Sequence, residues 1–130
     1  MAIEKLKLTR KQIQECYIGC CSLGQHELTV WEEVDKNIIA LQSLVEEYEK
    51  KRKTIIEKYA KKDDKGEVMI VDGKYYDFEK NFEKANKLLT DLSNEELEVD
   101  IHQFDKAELK GIKLVPNLMR PLRGVVFIGE

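Results

Sequence analysis

Long apolar runs, a segregated charge and an even set of cysteines are all missing from these 130 residues, and no leader segment is expected. The apolar stretch near the C-terminus, Val125 to Ile128, is four residues, against the roughly 20 that span a bilayer. No membrane association is expected. The opening Met-Ala-Ile-Glu-Lys lacks the apolar region of a secretory signal, which points to the cytoplasm. The three cysteines, Cys16, Cys20 and Cys21, are an odd number in a chain without such a signal, so reduced thiols are expected. Charge is plentiful but not sorted. Lys plus Arg number 22 and Asp plus Glu 25, for a formal charge of -3. A nucleic-acid surface needs a basic face, whereas the richest basic run here, Lys50 to Lys53, is interleaved with Glu46, Glu47, Glu49 and Glu57. Pairs such as Glu46 with Lys50 and Glu47 with Lys51 are the expected outcome, and nucleic acid is not an expected partner.

Chemistry-bearing patterns are missing too. Cys16 and Cys20 fall on one helix face and His26 or His102 could join them, but the spacing matches no zinc motif. Buried small hydrophobes are the simpler reading. Asp63 and Asp64, and the acidic stretch from Asp91 to Glu98, lack the loop spacing of calcium sites. His102 lies between Asp100 and Asp105 without a nucleophile beside it. No enzyme activity, metal or cofactor is expected.

What is present is a seam. Val34, Ile38, Leu41, Val45, Tyr48, Arg52, Ile55 and Tyr59 are spaced alternately four and three apart, the spacing of one helical stripe facing a partner helix. No glycine or proline interrupts the chain between Thr29 and Gly66. One helix from Val30 to about Lys61 is predicted, capped by Thr29 and Glu32. At roughly 1.5 Å per residue it reaches on the order of 45 Å, so part of it should project from a domain of this size. Arg52 interrupts the stripe, either snorkelling outward or meeting an acidic partner that sets register.

The flanking segments follow from local signals. Ile3 to Leu8 alternates as a short strand, and Thr9 with Gln12 forms a capping box for a helix from Arg10 to about Leu23. Its inner face would be Ile13, Cys16, Tyr17 and Cys20, with Gly24 as a left-handed terminator. Val68 to Val71 and Lys74 to Phe78 flank Asp72-Gly73, the dipeptide of a tight hairpin turn. Asp77 can cap a helix whose apolar positions are Phe78, Phe82, Ala85, Leu89 and Leu92, the natural antiparallel mate of the long helix. A strand from about Glu96 to His102 has Leu6 and Leu8 as mates. Asp105 with Glu108 caps a short helix that Gly111 ends. Pro116 fits a first helical turn, and Pro121 leaves Arg120 to Glu130 open between a kinked helix and an extended segment. Trp31 is expected to pack on the base of the domain.

The short strand KLKL, the segment DKNIIALQSLVEEYEKKRKTIIEKYAKKDDKGE, the link NEELEVDIHQFDKAEL and the final apolar turn resemble a family of small proteins encoded by tailed phages and prophages of Gram-positive bacteria. The resemblance covers most of the chain. Its most specific pieces are Lys36-Asn37 before the Leu41 to Tyr48 seam, Glu49 to Tyr59, and Val99-Asp100-Ile101-His102. The sequence departs from the family pattern around Cys20, Cys21 and Gly24 and at Arg120-Pro121. The resemblance implies origin and overall shape, and it transfers no catalytic residue.

The expected fold is α+β and mostly helical. It is a single domain of residues 1–130, with a base (1–28 and 93–130) and a projecting helical hairpin (29–92). A long antiparallel helical hairpin carries a β-hairpin at its tip and a small two-stranded sheet plus short helices at its base. The expected function is non-catalytic binding of a phage or host protein, or of a second copy of the chain, through Tyr75, Tyr76, Arg52, Val125 and Phe127. A virion or assembly accessory role leads, in the host cytoplasm or with the virion. An inhibitor of a host defence or metabolic protein is the first alternative. A metal- or thiol-dependent enzyme using His102 or the cysteine cluster is the second.

Overall fold

The structure, a computed structural model, describes residues 2–71, 73 and 75–129. It is an α+β fold, 56% helical, with four helices and a small three-stranded sheet among the described residues. The chain divides into two compact units, one of residues 1–46 and 96–130 and the other of residues 47–95.

In the first unit, strand β1 (Ala2–Thr9) runs into helix α1 (Arg10–Leu23) at the expected box: Thr9 Oγ1 accepts from Gln12 N at 3.1 Å, and Gln12 Oε1 accepts from Thr9 N at 2.9 Å. Ile13, Cys16 and Cys20 face inward, with Tyr17 partly buried beside them. Gly24 differs from expectation: its φ is -63°, a right-handed value. A Cβ there would lie 3.3 Å from Ile38 Cδ1, the far end of a flexible side chain.

Helix α2 (Trp31–Tyr59) contributes its first half to this unit. It starts one residue later than predicted, with Val34 N bonded to Val30 O. Thr29 therefore stands outside the cap, and its hydroxyl donates to Glu108 Oε2 at 2.6 Å. Val34 and Leu41 are buried, and Ile38, Leu44 and Val45 pack on the same core. Trp31 does not pack down as expected. It is 61% exposed, over a small cleft with Leu28 and Ile38.

The expected two-stranded sheet has a third strand. β1 pairs antiparallel with β4 (Glu96–Asp105), Leu6 opposite Val99 and Leu8 opposite Leu97. On the outer face the same register sets Lys5 against Asp100 and Lys7 against Glu98, cross-strand pairs of opposite sign. The tail resolves as helix α4 (Pro116–Met119), a 3-10 turn at Arg120–Leu122 and strand β5 (Phe127–Ile128), which lies parallel to β4 at its other edge.

Beside β5 that edge is completed by a side chain. Asn37, fully buried on α2, donates from Nδ2 to His102 O at 3.0 Å and accepts at Oδ1 from His102 N at 2.8 Å. Its carboxamide thus stands where another strand's peptide group would stand, which satisfies two backbone groups that are costly to leave unpaired.

In the second unit, the rest of α2 lies against helix α3 (Phe82–Ser93). Tyr48 and Ser93 share a 2.8 Å hydroxyl bond, Asn81 Nδ2 donates to Tyr59 O at 3.4 Å, and Ile56, Ala60, Phe78 and Ala85 form a small core. Between them come β2 (Ile70–Val71) and β3 (Tyr75–Tyr76). Val71 pairs with Tyr75, so three residues intervene and the predicted two-residue turn is not the connection. Gly73 keeps its left-handed φ of +67°, while Asp72 and Lys74 lie outside the described residues. Backbone bonds from Lys61 N to Asp77 O, Asp77 N to Met69 O and Met69 N to Lys61 O tie the hairpin to the helix end.

Asp77 caps as expected, accepting from Glu79 N, but what it caps is a 3-10 turn at Glu79–Asn81. Glu79 adopts a φ of +47°. This turn breaks the helical phase, so Phe78 is buried while Phe82, expected on the same stripe, is 59% exposed.

Candidate docking groove

Side chains of α2 and the β-hairpin enclose an open groove of about 450 Å³ in the second unit. Ile56, Val68 and Tyr76 line its apolar part; Glu49, Lys50, Arg52, Lys53 and Glu57 form its rim. Two residues singled out from the sequence, Arg52 and Tyr76, therefore meet at one place. The Tyr76 ring is anchored on one side by Phe78, with centroids 6.2 Å apart at 49°. The strand pleat turns Tyr75 to the opposite face of the hairpin, where it is 67% exposed.

Arg52 lies back along its own helix and meets an acidic neighbour there, an i,i+3 pair that sets no register with another element. Its guanidinium carbon lies 5.7 Å from the centroid of the Tyr48 ring, and Nη1 is 3.7 Å from Glu49 Oε1. Of the other rim charges, Lys53 pairs along the helix with Glu57 at 3.9 Å, and outside the rim Lys51 pairs with Glu47 at 3.2 Å. Such exposed pairs contribute about 0.2–1 kcal/mol each, so a partner can redirect them at little cost.

The remaining two candidates lie in the first unit. Val125 is partly buried against its core, and Phe127 is 1% exposed. Phe127 is thus a core residue and not a docking residue. Its backbone pairs with Phe104 and its ring fills the space under the sheet.

Two apolar residues of the groove, Ile56 and Val68, are not marked as site residues by the sequence. Ile56 and not its neighbour Ile55 is the buried position, because the stripe advances eight residues from Tyr48 before resuming at Ile56 and Ala60. The adjacent isoleucines were the available signal. Val68 was assigned to a strand without a role in a site.

Burial governs the cysteines. Cys16 Sγ donates to Pro121 O at 3.3 Å, and desolvation, with Glu15 adding to it, pushes its thiol up to about 12. Burial raises Cys20 as well, with Cys16 and Cys21 adding to it. Both are therefore protonated thiols at neutral pH and poor nucleophiles. Cys21 is partly exposed and raises the Tyr17 hydroxyl through a hydrogen bond. Among the described residues no group of three or more His, Cys, Asp or Glu side chains is placed to hold a metal ion, and no helix is long and apolar enough to cross a membrane.

The chain matches no protein-family model, no curated protein and no solved structure.

Proposed function

We propose that this chain is a non-catalytic protein-docking module whose binding surface is the β-hairpin and the groove beside it. One observation carries the reading: Tyr75 and Tyr76 stand side by side in sequence and are 67% and 43% exposed, and aromatics are typical interface anchors. The antiparallel helical hairpin inferred from the seam is part of the proposal. The Tyr48–Ser93 and Asn81–Tyr59 bonds support it, and it would present the two tyrosines at its end.

The sequence resemblance to phage-encoded proteins favours a virion or assembly accessory as the setting. The exposure of Tyr75 equally suits a phage inhibitor that seizes a host defence or metabolic protein. Both readings predict a specific protein partner. The tagged chain expressed in a phage-infected Gram-positive host should enrich one phage or host protein, and a Tyr75→Ala/Tyr76→Ala variant of unchanged helicity should lose that enrichment at least tenfold. Equal enrichment by both chains would sink the reading.

A further inference from the structure

We propose that the cleft under Trp31 receives an arginine side chain of a protein partner, a second docking point that lies in the first unit and does not involve the tyrosines. The cleft holds about 240 Å³, below the roughly 300 Å³ at which small-molecule sites begin, so it suits a single side chain. Its floor is apolar, formed by the buried Val34 and the partly buried Leu28 and Ile38. Trp31 and Asp35 line it as well and are both exposed, Trp31 by 61%. Four residues apart on α2, they stand one turn from each other on the same flank of the helix. The face of an indole ring attracts a cation, and a carboxylate beside it attracts the same cation. An arginine meets all three surfaces at once: its methylene stem covers the floor, its plane stacks on the ring and its fork takes the carboxylate.

The chain makes this arrangement once within itself, where Arg52 lies over the Tyr48 ring and beside Glu49 in the second unit. At Trp31 the ring and the carboxylate are in place, and among the described residues no lysine or arginine lies over that ring or pairs with Asp35. Charge selects the occupant. Between Gly24 and Ile38, Glu27, Glu32, Glu33 and Asp35 stand against one lysine, Lys36, so an acidic side chain is repelled. An apolar side chain would cover Asp35 and leave its charge without a partner. His26, the remaining polar side chain of the lining, adds a second flat ring to it.

The test is NMR of the whole chain titrated with N-acetyl-argininamide, and with N-acetyl-citrullinamide, which keeps the shape and loses the charge. The arginine probe should shift the Trp31 indole N–H and the Leu28, Val34 and Ile38 amides saturably at millimolar concentration. The citrulline probe should bind at least fivefold more weakly, and free arginine no more tightly than the capped probe. Asp35→Asn and Trp31→Leu should each weaken the capped arginine probe at least fivefold. Glu33→Gln removes the same charge from another side of the helix and should change binding less than twofold. Circular dichroism checks each variant, and if one loses helicity the two capped probes on the unaltered chain decide. An absent or unsaturable arginine response, equal binding of the capped probes, or folded Asp35→Asn and Trp31→Leu chains that bind unchanged would each overturn the proposal. So would a Glu33→Gln loss equal to that of Asp35→Asn, which would reduce the effect to the general field. Tighter binding of free arginine would make the amino acid itself the ligand, and movement of the same resonances on dilution of the chain alone would make a second copy the occupant; either result overturns it too.

Discussion

Asn37 ties helix α2 to the sheet of the first unit through one side chain. A polar side chain at a fully buried helix position is tolerated because both ends of its carboxamide are used by His102. Asn37→Ala should cost about 2–4 kcal/mol in chemical denaturation, from two stranded backbone groups and the lost volume. Asn37→Asp separates the hydrogen bonds from the packing. A buried carboxylate at this position can accept from His102 N but faces the His102 carbonyl with no proton to offer. Its pKa in the folded state should rise above the ordinary carboxylate value. The charged form is then disfavoured on folding, so the loss is smallest below about pH 4 and grows as pH rises toward the folded pKa. A stability deficit relative to wild type that stays flat from pH 7 down to pH 4 would refute this account.

At the level of elements, glycine separates two kinds of helix contact. A Cβ on Gly19 of α1 would sit 2.8 Å from Leu118 O and 2.9 Å from Leu122. The obstacle includes backbone, so α1 lies directly against α4 and the turn after it. Gly24 has a right-handed φ, and its nearest obstacle is the far end of the Ile38 side chain. Gly19→Ala should therefore destabilise by roughly 1–3 kcal/mol through overpacking. Gly24→Ala should be neutral or stabilise by up to about 1 kcal/mol, because it restricts the unfolded chain. Thermal melts of the two single variants check the pair. Equal shifts would show that the close approach at Gly19 is wrong.

For the whole molecule, the raised thiols set an alkaline limit. Cys16 and Cys20 have folded pKa values above their ordinary 9.0, so the stabilisation is complete below pH 9 and is lost as pH rises through the folded values. As the unfolded thiols ionise above about pH 9, each buried thiol should remove about 1.4 kcal/mol per pH unit. A Cys16→Ala/Cys20→Ala chain, though weaker at pH 7, should show a flatter decline between pH 9 and pH 11 in urea denaturation. Parallel declines would exclude the thiols as its cause.

Much of this fold was legible wherever a signal was local. Thr9 with Gln12, Pro116 and the alternation around Val99 each fix their element through neighbours a few residues away. What was missed depended on distant partners. Nothing near Phe127 announces that its backbone completes the edge of β4. Nothing near Phe82 shows that a left-handed Glu79 rotates it out of the core. At the candidate site, Tyr76 and Arg52 were visible as an aromatic and a charge out of place. Lys53 and Glu57 were hidden among similar residues, since only the groove distinguishes them.

The bond between Asn37 and His102 also determines where α2 stops along its own axis. An apolar stripe that repeats every three or four residues would accept the helix moved one repeat up or down, with similar side chains meeting similar hollows. A carboxamide that must reach one N–H and one C=O of a single residue does not accept it, because a slide of one turn, about 5.4 Å, breaks both bonds at once. The oil of the seam supplies adhesion without position. One amide supplies the position, as a key fixes a wheel on its shaft.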